Sequence, residues 1–473
     1  MNLNQLTLEK AAEGLRKGEF SSVDLTQSCL DRIQEKEKDI FSFLKVTTEQ
    51  ALAQARKADQ SFAKGKEESR LAGIPLALKD NILLKDVFCT AGSRILENYT
   101  APYDATVVSR LKEKKAVFLG KTNLDEFAMG SSTENSAFQV THNPYDLERV
   151  PGGSSGGSAA AVKSGEAIYS LGSDTGGSVR QPAAFCGLVG LKPTYGSVSR
   201  YGLIAFASSL DQIGPLTKTV GDNRLVFQAI SGLDSKDATS HQQEKTSSVL
   251  PLKKLRIGMI KDELLPEVDP LIVERIKRVV NELKKAGAKI EIIDFPHLPY
   301  ALPAYYIIVP AEASANLARY DGIKYGASVA ASNLQEVYEL TRGEKFGPEV
   351  KRRIMLGTFV LSAGYADAYY KRALKVKKLI ARDMENAFRK VDVIISPTTP
   401  TLPFKIGERT EDPVQMYLSD LLTAPANLAG SPALTVPAGV IRGLPVGLQI
   451  MGPAFQEERL FQVGEEIEKL ISF

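Results

Sequence analysis

KLRIGMIKDELLPEVDPLIVERIKRVVNELKKAGAKIEIIDF (254–295) decides the fold class. Its two ends, KLRIGMI and KIEIIDF, are short apolar runs bounded by polar residues and read as strands. Between them DPLIVERIKRVVNELKKAG carries apolar residues at helical spacing and is stopped by Gly287. The same alternation recurs outward. GIPLALKDN (73–81) is a buried strand ending at Lys79, and DATVVSRLKEKKAVFLGKTN (104–123) is a helix followed by a strand. DVIISPTTP and ALTVPAGV return to strand character near the end, after a mostly helical block over 300–390. Strands separated by helices imply an α/β fold with a mainly parallel or mixed sheet.

Strands on both sides of the helical block make one domain over 1–473 more economical than two. The first 65 or so residues form a helical segment, with capping boxes expected at Ser21/Asp24 and Thr47/Gln50. The polar stretch DSKDATSHQQEKTSS (234–248) reads as an exposed excursion that leaves His241 in solvent.

The 473 residues are 43% hydrophobic and carry 59 basic against 56 acidic side chains, so no basic field exists to grip nucleic acid unaided. Cys29, Cys89 and Cys186 are scattered, which excludes a disulfide framework and a structural zinc site. The N-terminus has no apolar signal core, and no run reaches the ~18 apolar residues that span a bilayer. A cytoplasmic protein without membrane contact is expected. With only His142, His241 and His297 available, acid–base chemistry falls to other residues.

Three segments carry candidate chemistry: Lys79 closing its strand, PGGSSGGS (151–158) and GSDTGGSVRQP (172–182). Taken singly, a lysine at a strand end is usually solvated and a glycine-serine loop is usually a turn. Phosphate-binding readings fail on the letters. GKT (120–122) lacks the leading glycine of a P-loop, and Ser154 and Ser178 stand where G-x-G-x-x-G needs its middle glycine. GGSSG (152–156) fits G-x-S-x-G, but it follows YDLERVP instead of a hydrophobic strand, and no histidine comes after His297.

Together the three segments resemble the amidase signature family in letters, order and separation, over about residues 70–220. The resemblance implies a large mixed, mainly parallel sheet flanked by helices on both faces. It makes Ser178 the acylated nucleophile, Ser154 the proton relay and Lys79 the base, with a cis peptide bond at Gly153–Ser154. A serine hydroxyl needs a base to attack, and a lysine is a base only as the free amine, which burial at an apolar strand end favours. The amides of Thr175, Gly176, Gly177 and Ser178 can converge as an oxyanion hole. Asp174 and Arg180 are expected to brace that loop.

DEFAMGSSTENSAF (125–138), YGSVSRYGLIAFASSLDQIGPLT (195–217), EVKRRIMLGTF (349–359) and YLSDLLTAPANLAGSPALTVPAG (417–439) narrow the resemblance to a glutaminase branch of the family. That branch implies glutamine as substrate, with Arg353 for its carboxylate, Asp420 for its ammonium, and Tyr305 and Gly130 lining the pocket. It implies no cofactor or metal in this chain. Ammonia would pass to a tRNA-binding kinase/transferase subunit, which uses ATP and Mg²⁺, with a small third subunit completing a heterotrimer. Asp125 and Glu126 are candidates for the ammonia route. One departure is Ser131, where GSST replaces the more usual GGST. A stand-alone amidase acting on another small amide and a non-enzymatic nucleotide-binding protein are the alternatives.

Overall fold

The computed structural model describes residues 2–65, 68–242 and 250–471. Its strands are β1 (Phe43–Val46), β2 (Pro75–Lys79), β3 (Val117–Thr122), β4 (Tyr169–Asp174), β5 (Val189–Lys192), β6 (Gln212–Thr217), β7 (Arg256–Ile260), β8 (Lys289–Ile293), β9 (Val393–Pro397), β10 (Ala433–Ile441) and β11 (Leu444–Met451). They form a single 11-stranded sheet in the order β1-β3-β2-β4-β6-β5-β10-β11-β9-β7-β8. Every residue of β2, β3, β4 and β6 is buried. Successive side chains of a strand point to opposite faces, so the helices cover both faces of the sheet there.

The sheet is mixed, but not mainly parallel. Only β2–β3, β2–β4, β7–β8 and β7–β9 are parallel. The remaining pairs run antiparallel. Two features hide this from the sequence. β4 and β5 flank a helix, Arg180–Phe185, as a parallel unit would, yet β6 inserts between them and pairs antiparallel with both. β10 and β11 form a hairpin across Arg442-Gly443, both at positive φ (54° and 78°), the backbone of a type I′ turn.

The N-terminal segment is not all helix. FLKV forms β1, antiparallel to β3, and is too short to display a period of two. The Ser21/Asp24 capping box forms as expected. The Thr47 side chain makes no capping bond; its hydroxyl is directed to β3, where it donates to the Phe118 carbonyl. Residues 234–240 do not loop out. Asp234 accepts from Thr106 and Ser199, and Asp237 from the Arg200 amide. His241 is exposed, and 243–248 lie outside the described residues. The block after 300 supplies helices Ala301–Asn316, Leu334–Lys345, Pro348–Leu361 and Lys371–Phe388. Among the described residues no helix is long and apolar enough to cross a membrane.

Candidate active site

β2 and β4 run parallel and end at one edge of the sheet, which sets the last residue of β2, Lys79, beside Ser173 on β4. Lys79 is wholly buried. Its Nζ makes hydrogen-bond contacts with Ser154 Oγ at 2.6 Å, Ser173 Oγ at 2.9 Å and the Ser173 carbonyl at 3.3 Å. Burial pushes its pKa down to about 7, against the carboxylates of Asp125, Asp174 and Asp211, which pull it up.

Ser154 follows a cis peptide bond from Gly153. Glycine is required at 153 by crowding: a Cβ there would lie 2.2 Å from Asp125 Oδ2 and 2.5 Å from the Ser132 amide nitrogen. The next amide, that of Ser155, donates to the Ser178 carbonyl at 3.1 Å and ties the two serine loops together. Lys79 and Ser154 have no exposed surface, whereas Ser178 keeps 7% and is the one of the three that opens outward.

Asp174 and the loop after it are held rigidly. Asp174 takes two 3.0 Å bonds from the Arg180 guanidinium, and it receives the amides of Val179 and Arg180 at the start of helix Arg180–Phe185. Arg180 is fully buried and also reaches the Thr423 carbonyl, Gln449 and Asn427. Although burial alone would raise the Asp174 carboxyl, the guanidinium holds it at about 2. Thr175 donates to Asp211, and Thr423 to the Gly176 carbonyl at 2.5 Å. Among the described residues the amides of Gly176, Gly177 and Ser178 bond to no other protein group. Removing Arg180 strands a buried carboxylate, so Arg180→Met should cost about 3–5 kcal/mol of stability in urea unfolding. An unshifted urea midpoint would refute the bracing role.

Of the residues named for substrate, Tyr305 lies against this loop. Tyr305 packs so closely that a Cβ on Gly176 would lie 2.3 Å from its hydroxyl. Arg353 is buried on helix Pro348–Leu361, paired with Glu349 one turn earlier, its guanidinium 5.2 Å from the ring centres of Tyr306 and Tyr417. Asp420 accepts from Tyr306 at 2.7 Å and from Ser131 at 3.2 Å. Burial lifts Asp420 to about 6, against the Tyr306 bond and the Arg353 charge. Gly130 offers no side chain and instead lets Asp125 pack, since a Cβ there would meet Asp125 Cγ at 2.4 Å.

Asp125 accepts the amides of Thr133 and Asn135, while Glu126 accepts from Ser93 and from the Gly347 amide. Both therefore hold loops together around the site.

Sequence reasoning missed Tyr306, Tyr417 and Ser173. Tyrosines in helical surroundings look like core, and a serine inside GSDTGGS is one among several. Ser131, marked only as a departure, turns out to touch Asp420.

The amidase family model matches residues 24–461. The glutamyl-tRNA(Gln) amidotransferase A-subunit of Trichormus variabilis is 54% identical, with 99% of this chain and 98% of that protein covered. The crystal structure of the Thermotoga maritima protein of the same name superposes with a TM-score of 0.81 at 43% identity, covering 99% of this chain and 95% of that one. A bacterial aryl acylamidase, 21% identical, shares the fold with a TM-score of 0.87 over 99% of this chain and 96% of that one.

Proposed function

The chain belongs to the amidase family, and from that premise we propose that it is the glutamine-hydrolysing A-subunit of a glutamyl-tRNA(Gln) amidotransferase. The observation that carries the reading is the 2.6 Å contact between Ser154 and a buried Lys79 whose pKa lies at about 7, one loop from Ser178. A lysine in that setting holds a free amine near neutral pH, as general-base work demands.

In the reaction Ser178 Oγ bonds to the side-chain amide carbon of glutamine. Its proton passes to Ser154 as the Ser154 proton passes to Lys79. The oxyanion is held by the amides of the 175–178 loop, which require no reorganisation. The Lys79 proton returns through Ser154 to the leaving nitrogen, ammonia departs, and water enters by the same relay to hydrolyse the γ-glutamyl ester. Arg353 meets the α-carboxylate with its terminal nitrogens, Nε being taken by Glu349. Asp420 meets the α-ammonium, and Tyr305 closes the pocket. Ammonia moves on to the tRNA-binding kinase/transferase subunit, which uses ATP with Mg²⁺ on Glu-tRNA(Gln), or Asp-tRNA(Asn). The small third subunit completes the assembly in the cytoplasm.

Near-neutral charge leaves tRNA binding to the partner. The purified chain should therefore release ammonia from glutamine slowly, and much faster once both partner subunits, tRNA and ATP are added. Steady-state ammonia release with and without them is the test. Full activity of the chain alone, or a preference for a hydrophobic amide, would make it a stand-alone amidase.

A further inference from the structure

We propose that Asn81 is a positioning residue of this site, its side-chain amide fixing the Ser173 hydroxyl as an acceptor toward Lys79 so that the lysine lone pair faces Ser154. The inference rests on the serine-lysine reading above and names what orients its base.

Among the described residues Lys79 Nζ has three hydrogen-bond partners: Ser154 Oγ, Ser173 Oγ and the Ser173 carbonyl. A neutral amine brings two N–H groups and one lone pair to them. The carbonyl can only accept, so it takes one N–H. The other N–H and the lone pair fall to two hydroxyls, each able to donate or accept. Catalysis requires one of the two outcomes: Ser173 accepts and Ser154 donates. The reverse arrangement blocks the lone pair with the Ser173 proton and aims an N–H at the relay oxygen.

Asn81 removes that ambiguity. Its Nδ2 donates to Ser173 Oγ at 2.9 Å. That bond alone leaves the hydroxyl free to show Nζ either its hydrogen or its second lone pair. The amide turned over accepts the hydroxyl hydrogen on Oδ1, which is otherwise unpartnered, and leaves only lone pairs for Lys79. Asn81 itself is fixed, because its carbonyl accepts the Ile204 amide at 2.8 Å. It is 2% exposed, and its Oδ1 has no hydrogen-bond partner among the described groups. A buried unpaired acceptor costs stability, which a residue kept for packing alone would avoid.

Two near-isosteric variants test this in the full-length chain assembled with its partner subunits. Asn81→Leu frees the Ser173 hydroxyl, and kcat for ammonia release should drop about 10- to 100-fold, as for other supporting partners of a reacting group, with KM little changed. Asn81→Asp sets a carboxylate near the amine and favours the ammonium. Its acid limb should move to higher pH, with activity recovered as pH rises. The pH dependence of Ser178 modification by phenylmethanesulfonyl fluoride should shift in parallel. Because a carboxylate moves the limb by charge alone, the neutral variant decides: a purely structural residue would leave kcat of folded Asn81→Leu near wild type, and if Asn81→Leu does not fold, Asn81→Ser is read in its place. Wild-type kcat in the folded neutral variant would overturn the positioning role. A parallel Lys79→Met control separates the two readings: if it is active, the serine-lysine mechanism itself falls, and if it is dead beside unaffected Asn81 variants, only the role of Asn81 does.

Discussion

Ser178→Ala should abolish ammonia release from glutamine, by a factor on the order of 10⁴ or more, because no acyl-enzyme can form without the nucleophile. The fold should survive. Ser178 binds its surroundings through its carbonyl, which accepts the Ser155 amide, and that bond does not involve the side chain. The oxyanion-binding amides also remain, so glutamine should still be held. Amidation of the misacylated tRNA fed with external ammonium should be spared in the assembled complex, since the partner performs that step. The decisive comparison is glutamine-fed against ammonium-fed product in the same preparation. Glutamine-fed product at wild-type level would defeat the assignment of Ser178, and loss of both would mean that the substitution had damaged assembly instead.

The legible parts of this molecule are those where local pattern and tertiary structure agree. GIPLALKDN reads as a strand buried on both faces because its apolar run is continuous, and it is one. Ser21 and Asp24 cap their helix because both partners lie within one turn. What escaped reading depends on distant chain. The Thr47 hydroxyl turns to a carbonyl on β3, and β6 inserts between β4 and β5 and pairs antiparallel with both, where alternating strands and helices implied mainly parallel neighbours. The site divides the same way. The loops holding Lys79, Ser154 and Ser178 have a distinctive composition, whereas Tyr306 and Asn81 matter through partners far along the chain, Asp420 and Ser173. Nothing local distinguishes either from an ordinary core tyrosine or turn asparagine.

Lys79→Met and Ser154→Ala should each lower the glutaminase rate by several orders of magnitude, and their combination should cost little more than the worse single change, because base and relay act as one unit. The free amine is the active form, so wild-type activity should fall as pH drops through about 7, while any residue of activity in Lys79→Met should lack that limb. The stability sign runs the other way. The unfolded chain binds the lysine proton up to about 10.4, so keeping Lys79 buried costs most below about 7 and least above the unfolded value. Removing it should leave the neutral-pH thermal midpoint at or above wild type, which separates lost chemistry from lost fold. Histidine supplies the control. His142 bonds the Leu147 carbonyl, His297 pairs with Asp383, and His241 lies exposed against Phe455, none of them in contact with the three residues. Replacing all three histidines should be nearly harmless to ammonia release. If His142→Ala proved as damaging as Lys79→Met, or if the double variant lost the product of the two single losses, the serine-lysine relay would have to be abandoned.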